Sequence, residues 1–249
     1  MTVSAAVGSA FVTTAAAGTG PVDPARTIHS PHTVVQERES FDVSRRPLAT
    51  PAIFVKTDAG NVLAYPPGPS AAKDAPLVIY LHGVHGRAEN GCPFMRTGPS
   101  AGWLVCPEPK VKDGEGWSWS GKVQKDDVIV RNALAATRSD APRVAVGFSQ
   151  GAYLTIDLLK KKKESFRSIV LLGASVDPDA KLIKESGVKR VVLGASKDEP
   201  WHASLQKSVA KLQKAGIEAR FVSLGHVGHM YIGEDTEPLR EAIAWASAN

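Results

Sequence analysis

Long apolar runs are missing from this 249-residue chain. Hydrophobic residues make up 43% of it, yet no stretch approaches the roughly 18 consecutive apolar residues of a bilayer-spanning helix. No transmembrane segment is therefore expected. Cysteine is nearly absent, with Cys92 and Cys106 the only two. Two thiols can lie buried and separate in a reducing compartment, or form one bridge in an exported protein. Cys92 falls at the start of an expected helix and Cys106 at the end of the strand that follows. A Cys92–Cys106 disulfide is thus within reach. Lysine and arginine are absent before Arg26, so the basic start of a secretory signal is missing. Residues 4–17 are nevertheless mildly apolar, and Ala15-Ala16-Ala17 resembles a small-residue cleavage site. With the cysteine pair, this favours a secreted or periplasmic protein over a cytoplasmic one. Residues 1–33 read as disordered or loosely attached, and 34–249 as one folded domain. Internal repeats are absent, as is any interleaving of aromatic and basic residues, so nucleic acid is not an expected partner. The formal charge of +5 is dispersed except at Lys160-Lys161-Lys162-Lys163. That cluster ends a predicted helix, where cations suit the helix dipole; the other reading is a phosphate or membrane-surface patch.

What is present is an alternation of strand and helix. An edge strand is expected within residues 33–43. Residues 52–56 and 62–65 read as a hairpin across Thr57-Asp58-Ala59-Gly60-Asn61. From residue 76 onward short apolar runs alternate with helical patterns, the signature of a mainly parallel sheet with helices on both faces. Strands are expected at 76–81, 103–106, 144–146, 168–173, 188–193 and 219–224. Helices are expected within 91–100, at 126–137, after residue 150, around Leu205, Val209 and Leu212, and around Leu239, Ile243 and Ala246. Residues 108–125 read as a long loop.

The chemistry is concentrated at Gly147-Phe148-Ser149-Gln150-Gly151. This G-x-S-x-G follows the apolar run 143–146 and precedes the amphipathic run 152–159. The serine is therefore placed at a sharp strand-to-helix turn, which would hold its hydroxyl above the sheet edge. A serine hydroxyl is a poor nucleophile until a base takes its proton, and that base needs an orienting partner. In hydrolases with such a serine elbow both partners follow the serine, just past later strands. Lys197-Asp198-Glu199 follows one such strand, and Gly225-His226-Val227-Gly228-His229 follows the next.

With Leu81-His82-Gly83, Ser149, Asp198 and His229 in this order, residues 50–249 resemble an α/β-hydrolase. The likeness is nearest to the small carboxylesterases, acyl-protein thioesterases and dienelactone hydrolases. The resemblance implies an α/β-hydrolase fold: a mainly parallel sheet, an antiparallel N-terminal hairpin and no large lid. Residues 174–187, where large lids are often inserted in this fold, leave room only for a short helix. That implies an open site and argues against a lipase activated at lipid interfaces. The implied reaction is hydrolysis of a small-molecule carboxylic ester through an acyl-enzyme, with no cofactor. Thioesterase, peptidase and acyltransferase chemistry would use the same residues. A non-catalytic interaction protein on this scaffold is the alternative of a different class.

Ser149 is the expected nucleophile. His229 is the expected base, because Gly228-His229 resembles the Gly-His ending common in the family, although Gly225-His226 has the same local form. Asp198 is the expected acid, because the family usually places aspartate there; Glu199 and Asp177 are the alternatives. The oxyanion amides are expected from Gln150, the residue after the nucleophile, and by resemblance from Val84. His85, Trp117, Trp119 and His226 are the candidate pocket residues, the tryptophans serving otherwise to pin their loop. His82/His85 and His226/His229 also form two H-x-x-H pairs. They fall where the serine-hydrolase pattern wants histidines, with no Cys or Glu at ligand spacing, so a metal is not expected.

Overall fold

The computed structural model describes residues 52–98, 100–233 and 235–248. The N-terminal segment 1–33 and the edge strand expected within 33–43 lie outside the described residues. The hairpin is formed by β1 (Ile53–Thr57) and β2 (Gly60–Tyr65), paired antiparallel. The remaining strands are β3 (Leu77–Leu81), β4 (Leu104–Pro107), β5 (Val111–Asp113), β6 (Gly116–Ser118), β7 (Arg143–Phe148), β8 (Ser168–Leu172), β9 (Arg190–Ala195) and β10 (Glu218–Ser223). Eight of the ten strands make one sheet in the order β1-β2-β4-β3-β7-β8-β9-β10, while β5 and β6 form a separate hairpin. The neighbours from β4 to β10 are parallel, and β2 joins β4 antiparallel. The chain leaves β3 to one side for β4 and returns to its other side for β7. In open α/β sheets the carboxyl ends of the strands at such a reversal, here β3 and β7, are where ligands bind.

Apolar residues on both strand faces explain why both faces are covered. Leu77, Ile79 and Leu81 belong to one core cluster, and Val78 and Tyr80 to the other. The first cluster is closed by α2 (Val123–Ala135), α3 (Gln150–Lys160), α4 (Ala180–Glu185) and α5 (His202–Lys214). The second is closed by α1 (Ala88–Gly91), the 3-10 turn Cys92–Met95 and α6 (Glu237–Ser247). Leu205, Val209 and Leu212 recur at helical spacing on α5 and are buried. Burying such side chains stabilises by about 1.5–3 kcal/mol each. Helix α5 stops at Gly216, whose φ of 76° suits glycine.

Three expectations are corrected locally. The helix expected within 91–100 is instead the single α-turn Ala88–Gly91 followed by the 3-10 turn Cys92–Met95, and Arg96 is already extended. Residues 108–125 are more than a loop, because β5 and β6 lie there. Helix α2 starts at Val123, ahead of the expected Asp126, and Asp126 is buried and accepts from Ser120 N at 3.0 Å. Cys92 and Cys106, both fully buried, are joined as a disulfide with Cα atoms 6.0 Å apart. The bridge ties the 3-10 turn to β4. Among the described residues, no helix is long and apolar enough to cross a membrane.

Candidate active site

Ser149 sits between β7 and α3 with φ 51° and ψ −115°. A left-handed φ is costly for a residue with a Cβ, on the order of 1–3 kcal/mol, and persists only where the surroundings enforce it. Two glycines show how they do so. A Cβ on Gly147 would lie 2.5 Å from Gly151 O, and one on Gly151 would lie 1.9 Å from Leu81 O. Helix α3 therefore leaves the strand at a distance that only glycine permits. Ser149 N is tied to Leu172 O at 2.9 Å.

The turn delivers the hydroxyl to a histidine. Ser149 Oγ lies 3.0 Å from His229 Nε2, and His229 Nδ1 lies 2.6 Å from Glu199 Oε1. An ionised carboxylate only accepts, so Nδ1 carries the proton and Nε2 is left to accept from Ser149 Oγ. Glu199 is buried, with a side chain 3% exposed, and its Oε2 accepts from Ser196 N at 3.0 Å. The His229 ring packs between Phe148, at a centroid distance of 5.1 Å, and Trp201, edge-on at 5.9 Å.

Asp198 stands elsewhere. Its Oδ1 is 2.7 Å from His226 Nδ1, and its Oδ2 accepts from Gly228 N at 2.9 Å and Ser196 Oγ at 3.3 Å. The Gly228 amide first, and then His226, hold its carboxyl below the usual aspartate range. The expected His229–Asp198 partnership is thus replaced by two parallel pairs, His229 with Glu199 and His226 with Asp198. The third candidate acid, Asp177, is taken up by Ser208 Oγ at 2.6 Å and Lys211 Nζ at 2.8 Å on α5. These two contacts lower its pKa.

On the other side of Ser149, a Cβ on Gly83 would lie 3.0 Å from Ser149 Cβ, so the loop after β3 runs against this serine. Val84, next in that loop, is exposed, while His82 is buried. Burial lowers the His82 pKa to about 4, and its Nδ1 lies 2.7 Å from Gly83 O. His85 is turned out to solvent beside Asp113 at 3.1 Å. The members of the His82/His85 pair therefore part company. Trp117 is half-buried and its ring carries Lys112 Nζ at 4.8 Å. Trp119, expected to line the pocket or pin its loop, is 3% exposed, which makes it a pin. His226 is exposed and lines a shallow cavity of about 440 Å³ with Leu224, Val227 and Ile232.

Sequence reasoning passed over Trp201 and the Gln150 side chain. The signal for Trp201 was its place two residues after Glu199, at the entrance to α5.

Neither a protein-family model nor a curated protein sequence matches this chain. Solved structures do. A hormone-sensitive lipase from a metagenome library superposes with a TM-score of 0.57 at 14% identity, over 86% of this chain and 90% of that one. Esterase PE8 superposes with a TM-score of 0.57 at 20% identity, over 74% and 97%. The naproxen esterase of Bacillus subtilis superposes with a TM-score of 0.55 at 12% identity, over 87% and 98%. The chain has the α/β-hydrolase fold. The identities are too low to carry activity from those proteins to this one.

Proposed function

We propose that this protein is a serine hydrolase of carboxylic esters. The observation that carries the reading is the continuous hydrogen-bonded chain from Ser149 through His229 to Glu199. Esterases among the structural neighbours support it. His229 Nε2 takes the proton as Ser149 Oγ attacks the ester carbonyl, and the Glu199 carboxylate stabilises the imidazolium that forms. The backbone N–H groups of Val84 and Gln150 hold the oxyanion of the tetrahedral intermediate. Such donors are already oriented and need no reorganisation as charge develops. Collapse expels the alcohol, which receives the proton from His229, and leaves an acyl-Ser149 ester. Water, deprotonated by His229, attacks that ester; a second collapse releases the acid and restores Ser149.

A fluorophosphonate probe tests this reading. It should label Ser149 in the wild type and leave Ser149→Ala unlabelled, and short acyl esters should be hydrolysed only by the wild type. Folded wild-type protein that takes no label and cleaves none of a panel of esters, thioesters and peptides would refute it.

A further inference from the structure

Of the two proposed oxyanion amides, that of Val84 lies in the loop after β3 and that of Gln150 opens α3, and one segment, Trp117 to Trp119, holds both. Gln150 Oε1 accepts from Trp119 N at 2.9 Å, and Gln150 Nε2 donates to Trp119 O at 3.1 Å. This pairing fixes the amide orientation, because a backbone N–H needs an acceptor and a carbonyl needs a donor. The Trp119 indole Nε1 then donates to His82 O at 2.8 Å. Two neighbours grip the same loop: Ser118 Oγ accepts from His85 N at 3.3 Å, and Trp117 N donates to Gly86 O at 2.9 Å. Within the loop, Gly83 O receives His82 Nδ1 at 2.7 Å and Gly86 N at 3.2 Å. In a trans peptide C=O and N–H point in opposite directions. Holding the Gly83 carbonyl inside the loop therefore turns the Val84 N–H out of it.

We propose that the Gln150 side chain and Trp119 are positioning residues, forming a clamp that sets the spacing and direction of the Val84 and Gln150 amides. The clamp deepens the ester-hydrolase reading and rests on it for its catalytic consequence. Trp119 and His82 are almost fully buried, at 3% and 2% exposure, so water does not compete for the bond between the indole and the His82 carbonyl, while the two bonds to the half-buried Gln150 are partly shielded. The hydrogen bonds of both side chains run to the Trp119 backbone and to His82 O, not to Ser149 Oγ or His229. Oxyanion stabilisation depends on donors standing ready at the place where charge develops, and small misplacements are costly there.

Two variants attack the clamp at different points. Trp119→Phe keeps an aromatic ring and removes the N–H. Gln150→Met keeps the length and its own backbone amide and removes both bonds to Trp119. Each should lower kcat on p-nitrophenyl butyrate by about 10- to 100-fold, with KM within about threefold. Affinity for a trifluoromethyl ketone, which forms a tetrahedral adduct, should fall in step with kcat. Binding of butyrate, a ground-state product, should hold. A merely structural role would weaken both ligands alike. Hydrogen exchange at residues 82–86 should accelerate in both variants. Wild-type kcat together with unchanged exchange in both variants would overturn the clamp. A wild type that neither hydrolyses esters nor takes the fluorophosphonate would instead remove the functional reading, and exchange at 82–86 would then decide the clamp by itself.

Discussion

Glu199 Oε1 lies 2.6 Å from His229 Nδ1, while the adjacent Asp198 turns to His226 at 2.7 Å. Consecutive acids thus serve different histidines, and their surroundings differ as much as their partners. Glu199 is buried and also bonded to Ser196 N; Asp198 is half-exposed and anchors the Gly228 amide. Glu199→Gln should therefore lower kcat by about 10³- to 10⁴-fold, since a neutral amide no longer stabilises the imidazolium or fixes its tautomer. Asp198→Asn should cost less than about tenfold, because a solvent-exposed contact of this kind contributes little and the amide oxygen can still receive Gly228 N–H. Steady-state kinetics on one ester decides between them. A larger loss in the aspartate variant would make Asp198 the orienting acid.

The strand–turn–helix frame around Ser149 was legible because it rests on local signals. Apolar runs, G-x-S-x-G and the Gly216 stop each act within a few residues, and the order serine, acid, histidine follows from the strands. The choice of acid was not legible. Asp198 and Glu199 both follow β9, and which carboxylate faces His229 is decided by the turn at Ser196 and its bonds to Val227 N and Gly225 O, contacts across 31 and 29 residues. The same holds for Trp119. Its burial depends on Gln150 and His82, neither of which is near in sequence. The β5–β6 hairpin escaped notice because its strands are three residues each and carry polar residues.

Two glycines beside Ser149 should separate stability from rate. A Cβ at Gly151 would meet the Leu81 carbonyl at 1.9 Å, a backbone atom that cannot swing aside. Gly151→Ala should destabilise the fold by about 3 kcal/mol or more, as an overpacked core site does, and lower the midpoint of urea unfolding accordingly. At Gly83 the nearest atoms are Ser149 Cβ at 3.0 Å and the Phe148 ring at 3.1 Å. Gly83→Ala should displace Ser149 by a few tenths of an ångström, lowering kcat by about tenfold with a much smaller change in unfolding midpoint.

The Cys92–Cys106 bridge closes a short loop, with a sequence separation of 14. In the chain-entropy account such a loop is worth about 3 kcal/mol through its effect on the unfolded state. Urea unfolding with and without dithiothreitol should show a loss of that order. Cys92→Ala/Cys106→Ala should lose at least as much and no longer respond to the reductant. Mass spectrometry of non-reduced peptides should find the two cysteines linked.

His82 should make stability depend on pH in a defined window. Its folded pKa is lowered from 6.5 to about 4 because the ring is buried. Between these values the unfolded chain binds the proton and the folded one does not. Stability is therefore highest above about pH 6.5 and falls as the pH drops toward 4, by about 3 kcal/mol for this group. Glu108, Asp126 and Glu164 work in the opposite sense, since burial raises their pKa values and the folded state keeps their protons more firmly. The variant His82→Asn isolates the histidine, because it retains an N–H for Gly83 O and does not titrate. Its absolute stability should be lower at every pH. Between pH 7 and pH 4.5, however, chemical denaturation should show a smaller loss than in the wild type, and equal losses in the two proteins would mean that His82 is not held neutral by the fold.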